Sequence, residues 1–171
     1  MNVGRTLVAI LAVVAACGSP ANSSQNRLSP PVALTFPALD GGTIDVAAYR
    51  GDIVVVHVFA TWSPPALHDS QILVAAAASH RGQVRVIAIA MDSSGYRLVA
   101  AWRNAAKVHY LVGLATEAIR TGHTVLGPIH QVPITFVLDR RGRIAQRING
   151  VLGDATLEAA LAPLLADPST P

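Results

Sequence analysis

Seven consecutive residues, Ile53-Val54-Val55-Val56-His57-Val58-Phe59, are apolar except for His57. Successive side chains of a strand point to opposite faces, so a run apolar at nearly every position needs cover on both. That excludes a one-sided surface hairpin and calls for a strand inside a parallel sheet with helices on each side. The run ends in Ala60-Thr61-Trp62-Ser63-Pro64-Pro65 and feeds an alanine-rich stretch, Ala66 to His80, that reads as a helix. Backbone N–H groups and the positive end of the helix dipole converge at such a junction. Pro64 and Pro65 are expected in the first helical turn, where a missing N–H costs little.

The flanking segments extend the pattern. Leu34 to Leu39, the turn Asp40-Gly41-Gly42 and Thr43 to Val46 predict an N-terminal hairpin. Val84 to Ala90 predicts a second buried strand, Tyr96 to Lys107 a helix with Trp102 in the core, and Tyr110 to Leu114 a third strand. A short helix is expected within Glu117 to Val125. Ile134 to Leu138 and Ile144 to Ile148, joined through Arg140-Arg141-Gly142-Arg143, read as a closing hairpin. A last helix spans Ala155 to Ala166 with Asp154 as its N-cap. Alternating strands and helices followed by a hairpin and a helix give an α/β class with a central mixed sheet.

The N-terminus carries a different message. Leu7 to Ala16 is too short an apolar run to span a bilayer and suits the core of a signal peptide. It ends Val14-Ala15-Ala16-Cys17-Gly18, which resembles a bacterial lipobox. On that resemblance residues 1–16 are removed and Cys17 is acylated, and two or more acyl chains anchor a protein stably to a membrane. Residues 17–31 read as a flexible tether, rich in Ser, Asn and Pro, and the domain as 32–167. The expected location is the bacterial cell envelope, with the domain facing the periplasm or the exterior.

Three phrases in order resemble the TlpA-like thioredoxin-fold family of thiol-disulfide oxidoreductases, or redoxins. They are Val56 to Ala66 around Trp62, Val132-Pro133 followed by Ile134 to Asp139, and Gly142-Arg143-Ile144 with Gly150. The resemblance implies a thioredoxin-like fold, a cis peptide at Val132-Pro133, and a shallow peptide groove formed by Trp62, Ser63, Pro64, Val132 and Pro133. It also implies that His57 and Asp69 lie buried behind that site. The departure falls on the chemistry, because Ser63 and Ala66 occupy the two positions where the family has its redox cysteines.

That departure is decisive for thiol exchange. The reaction needs a thiolate nucleophile and a second thiol to resolve the mixed disulfide. A helix N-terminus brings a cysteine toward ionisation at neutral pH, whereas serine stays a hydroxyl and forms no exchangeable S–S bond. Cys17 is the single cysteine of the chain, so no internal disulfide exists. The expectation is a non-catalytic binding module for a protein or peptide, held at the membrane through Cys17. Two alternatives stand beside it: a redox-homeostasis protein or repurposed Ser63–His57–Asp69 site, and a metal-binding envelope protein. His68, His80, His109, His123 and His130 show no ligand spacing, so no metal is assigned, and no cofactor is expected. The net charge of +3 comes from scattered Lys and Arg without aromatic interleaving, which excludes a nucleic-acid surface. The oligomeric state stays open.

Overall fold

The computed structural model describes residues 30–93 and 95–167. Residues 1–16, Cys17 and the tether as far as residue 29 lie outside them. Five strands form one mixed sheet in the order β5-β4-β3-β6-β7. Its centre is β3 (Ile53–Phe59), every residue of which is buried. β4 (Val84–Ala90) and β5 (Leu111–Leu114) extend it in parallel on one side. β6 (Ile134–Leu138) and β7 (Ile144–Asn149) extend it antiparallel on the other. Between β3 and β4 runs α1 (Ala66–Ser79), between β4 and β5 α2 (Tyr96–Ala105), and α4 (Asp154–Ala166) closes the chain. A four-residue α3 (Glu117–Arg120) follows β5, and β1 (Thr35–Pro37) pairs with β2 (Thr43–Asp45) as a separate hairpin. The α/β fold with an N-terminal hairpin is the one the resemblance implies.

Helices lie on each side of the sheet as expected, but the two faces are covered differently. Ile53, Val55, Val86 and Val137 pack under α1 and α4 through Leu73, Leu157 and Leu161. Phe59, Ala88 and Ala90 pack under Val99 of α2 on the same face. The opposite face, with Val54, Val56, Val58, Ile87 and Ile89, is covered by Phe36 and Ile44 of the hairpin and by Ile119 and Leu126. Three helices therefore share one face, while the N-terminal segment and α3 seal the other. An apolar strand requires cover on both sides and does not specify what provides it.

The smaller corrections have local causes. Pro65 is the residue preceding α1, and Pro64 comes before it, so neither lies in the first helical turn. Gly153 caps α4, and Asp154 opens its first turn. Trp102 is half-buried, its ring 4.5 Å from that of Phe59. Tyr110, expected in β5, precedes the strand, which starts at Leu111.

Candidate functional site: the Trp62 turn and the polar pair behind it

At the end of β3 the chain turns sharply into α1. The Ser63 N–H donates to the Ala60 carbonyl and the Ala66 N–H to the Ser63 carbonyl, each at 3.0 Å. These two bonds push Trp62 outward, where it is 70% exposed, while Ser63 and Ala66 are buried. The base of the turn is fixed from the β4–α2 loop. Buried Asp92 accepts the Thr61 N–H at 3.0 Å and the Thr61 hydroxyl at 2.5 Å, and its own carbonyl accepts from Arg120. A carboxylate that receives two hydrogen bonds from one residue holds that residue's backbone and side chain together. Neither Thr61 nor Asp92 was singled out from sequence, although an aspartate just past a buried strand is the signal that could have found it.

Trp62, Ser63 and Pro64 border a depression of about 390 Å³ with Ala66 and Leu67 of α1 and Trp102, Ala105 and Ala106 at the end of α2. Val132 and Pro133 are not part of its lining. Their peptide bond is cis, with Pro133 buried and Val132 half-buried. They precede Ile134, which pairs with Val58, so they run alongside the end of β3. The structure thus brings Trp62, Ser63 and Pro64 together against α2, and sets Val132 and Pro133 beside the base of the turn.

Behind the turn sits a buried polar group. His57 and Thr135 are paired residues of β3 and β6, and His57 Nδ1 lies 2.9 Å from Thr135 Oγ1. On α1, Asp69 is fully buried, with Oδ1 accepting from the Leu152 N–H at 3.2 Å and facing His68 Nδ1 at 3.1 Å. His57 Nε2 and Asp69 Oδ2 face each other at 3.9 Å, and neither has a hydrogen-bond partner among the described residues. The tautomer that suits this setting has the Thr135 hydroxyl donating to Nδ1 and an Nε2–H directed toward the carboxylate from beyond hydrogen-bond distance. Burial lowers the His57 pKa to about 4, so the ring is neutral near pH 7. Burial likewise raises that of Asp69, against the opposing hydrogen bonds from His68 and Leu152.

A nucleophilic serine needs a base within hydrogen-bond reach. The Ser63 hydroxyl has no hydrogen-bond partner among the described residues, and His57 is engaged by Thr135 instead. The Ser63–His57–Asp69 alternative therefore lacks its first link. Among the described residues no three of His, Cys, Asp and Glu converge as a metal-binding group.

His57 predicts an acid-sensitive fold. Its folded pKa lies below the unfolded value of 6.5, so as pH falls the unfolded chain takes up a proton before the native one does. Stability should decline between pH 6.5 and about 4, by an amount on the order of 3 kcal/mol. Asp69, with its pKa raised by burial, works in the opposite sense as pH falls. Urea melts at stepped pH of the parent and of His57→Gln measure the effect. An acid limb that is equally steep in both would remove His57 as its source.

The comparisons with known proteins agree with this fold. A family model described as Redoxin matches residues 23–163. No curated protein sequence matches the chain. Among solved structures, a thiol:disulfide interchange protein of the thioredoxin family from Chlorobium tepidum is 25% identical, with a TM-score of 0.65 over 81% of this chain and 97% of its own. A DsbF homologue from Corynebacterium diphtheriae is 20% identical, with a TM-score of 0.71 over 78% of this chain and 86% of its own. A secreted thiol-disulfide isomerase from Corynebacterium glutamicum is 17% identical, with a TM-score of 0.69 over 79% and 84%.

Proposed function

The chain belongs to the Redoxin family, and from that premise we propose that it is a member without thiol chemistry, working as a reversible binding module for a protein or peptide in the bacterial cell envelope. The observation that carries the reading is the pairing of Ser63 and Ala66, at the positions of the missing cysteines, with a Trp62 side chain left 70% exposed. A large aromatic in water contributes nothing to the core and is the residue type that dominates binding energy at interfaces. Leu67 beside it is 56% exposed, and both border the depression against α2. Val132 and Pro133 lie beside the base of the turn, outside the lining of that depression. Lacking a thiol, the site holds its partner without a covalent bond.

Anchoring through acylated Cys17 keeps the module at the membrane. In support, a structural relative is described as secreted, and no helix among the described residues is long and apolar enough to cross a membrane. The test is quantitative capture from envelope extract by immobilised parent and Trp62→Ala chains. Trp62 lies outside the core, so its removal should leave the melting curve unchanged. An interface anchor of this kind costs about 2 kcal/mol or more when truncated, so a specific partner should bind at least about 25-fold more weakly to the variant. Equal retention by both would remove Trp62 from the binding surface.

A further inference from the structure

The chain enters its fold at one end of the sheet and presents Trp62 at the other. The Val32 N–H donates to the Gly142 carbonyl at 2.7 Å, which ties the first buried residue of the domain to the β6–β7 turn. Because β6 runs antiparallel to β3, with Leu138 opposite Val54 and Ile134 opposite Val58, that turn is level with the start of β3. Trp62 follows the end of β3. A seven-residue strand at about 3.3 Å per residue puts roughly 20 Å between the two poles.

The entry pole is basic. Arg140, Arg141 and Arg143 lie on the turn, and Arg50 covers it: a methyl group built on Gly142 would meet Arg50 Cγ and Nε at 3.6 Å and Pro31 at 3.9 Å. Arg50 and Arg141 are exposed, and neither has an ion pair among the described residues. The Arg140 guanidinium donates to the Gly51 carbonyl, binding the turn to the loop before β3. The acidic groups on these segments are occupied. Asp52 pairs with Arg85 at 3.2 Å, Asp139 is turned onto the N–H groups of Arg141 and Arg143, and Asp45 accepts the Ala47 N–H.

We propose that this pole docks onto an anionic phospholipid bilayer and so turns Trp62 away from the membrane. The proposal rests on the envelope-anchor reading in one respect, that Cys17 places the bilayer near the start of the domain. Thirteen residues lie between Cys17 and Pro31, and a random-coil segment of that length would have a root-mean-square span of roughly 20 Å. The tether thus holds the arginines near the lipid headgroups, where a contact too weak to form between free molecules becomes an intramolecular one. The attraction acts within a Debye length of about 8 Å, so only the pole facing the bilayer gains from it.

The test uses the full chain made in a bacterial host, purified from its membranes and placed in vesicles of phosphatidylcholine alone or mixed with phosphatidylglycerol. Hydrogen exchange at residues 140–143 reads docking, and quenching of Trp62 and Trp102 by brominated lipids reads which pole faces the bilayer. Exchange at the turn should slow in the phosphatidylglycerol vesicles and recover in 1 M salt, where the Debye length is about 3 Å. Each surface arginine is expected to contribute about fivefold, so Arg50→Gln with Arg141→Gln should lower the docking equilibrium about 25-fold. Tryptophan emission should stay unquenched throughout. Equal exchange in both vesicles, or quenching by brominated lipid, would overturn the proposal. The mass of the N-terminal peptide reports acylation of Cys17 separately, and a bare Cys17 defeats only the anchor reading. In that case the bare Cys17 thiol is coupled to maleimide-bearing lipid in the same vesicles; protection of 140–143 by phosphatidylglycerol upholds the surface, and its absence overturns it.

Discussion

Ser63→Cys combined with Ala66→Cys is expected to convert an inert chain into one that forms and reopens a disulfide. The Ala66 N–H bond to the Ser63 carbonyl closes a tight turn, which keeps the two Cα atoms within about 7 Å. A disulfide spans Cα separations of about 4.4–6.8 Å, so the backbone already suits the bond. The first sulfur would sit before the N-terminus of α1, where the dipole and free N–H groups stabilise a thiolate. Reduction of insulin by dithiothreitol, followed by turbidity, compares the two chains. The parent should match the buffer blank, and the double variant should turn over and lose two hydrogens in mass on oxidation. Turnover by the parent would sink the reading of lost thiol chemistry. A double variant that never closes its disulfide would instead count against the turn geometry.

Gly113→Val is expected to be the most destabilising single substitution on the hairpin side of the sheet. A Cβ at Gly113 would lie 2.5 Å from Phe36 Cδ2 and 2.6 Å from both Phe36 Cε2 and the Pro37 carbonyl oxygen. Here the N-terminal hairpin crosses β5, with Ala38 bridged to Gly113 and the Leu39 N–H donating to the Val112 carbonyl. The Phe36 ring is 1% exposed and packed on Val56 and Ile89's face of the core, so it has little room to retreat, and the carbonyl belongs to the backbone. Overpacking typically costs 1–3 kcal/mol, and obstruction by ring and backbone together points to about 4 kcal/mol. Urea denaturation of the two chains measures it. A loss under about 1 kcal/mol would show that the hairpin lifts off β5 without consequence for the core.

Much of the architecture was legible because its signals are local. The apolar run Ile53–Phe59 could only be a doubly covered strand, and Val84–Ala90 repeats the pattern with the same bounds in the structure. Turn glycines marked the hairpins, as Gly142 does at φ +76° between β6 and β7. Gly113 was less legible. A glycine inside an apolar strand signals close approach of another chain segment, yet its partner Phe36 lies far away in sequence. The identity of the covering layers was likewise invisible, since burial demands apolar contact and accepts a hairpin as readily as a helix.

At the site the division is sharper. The residues alone establish that thiol exchange is impossible between positions 63 and 66, because that conclusion depends on which atoms are present and not on where they lie. Only the tertiary structure decided that Trp62 stands in water, that Asp92 holds Thr61 from the neighbouring loop, and that Trp102 joins the depression. It alone decided that Thr135 engages His57 and that the turn's arginines stand where the chain enters the fold. Each of these depends on segments distant in sequence being brought together by strand register. Register follows from the whole buried pattern at once, and no single stretch contains it.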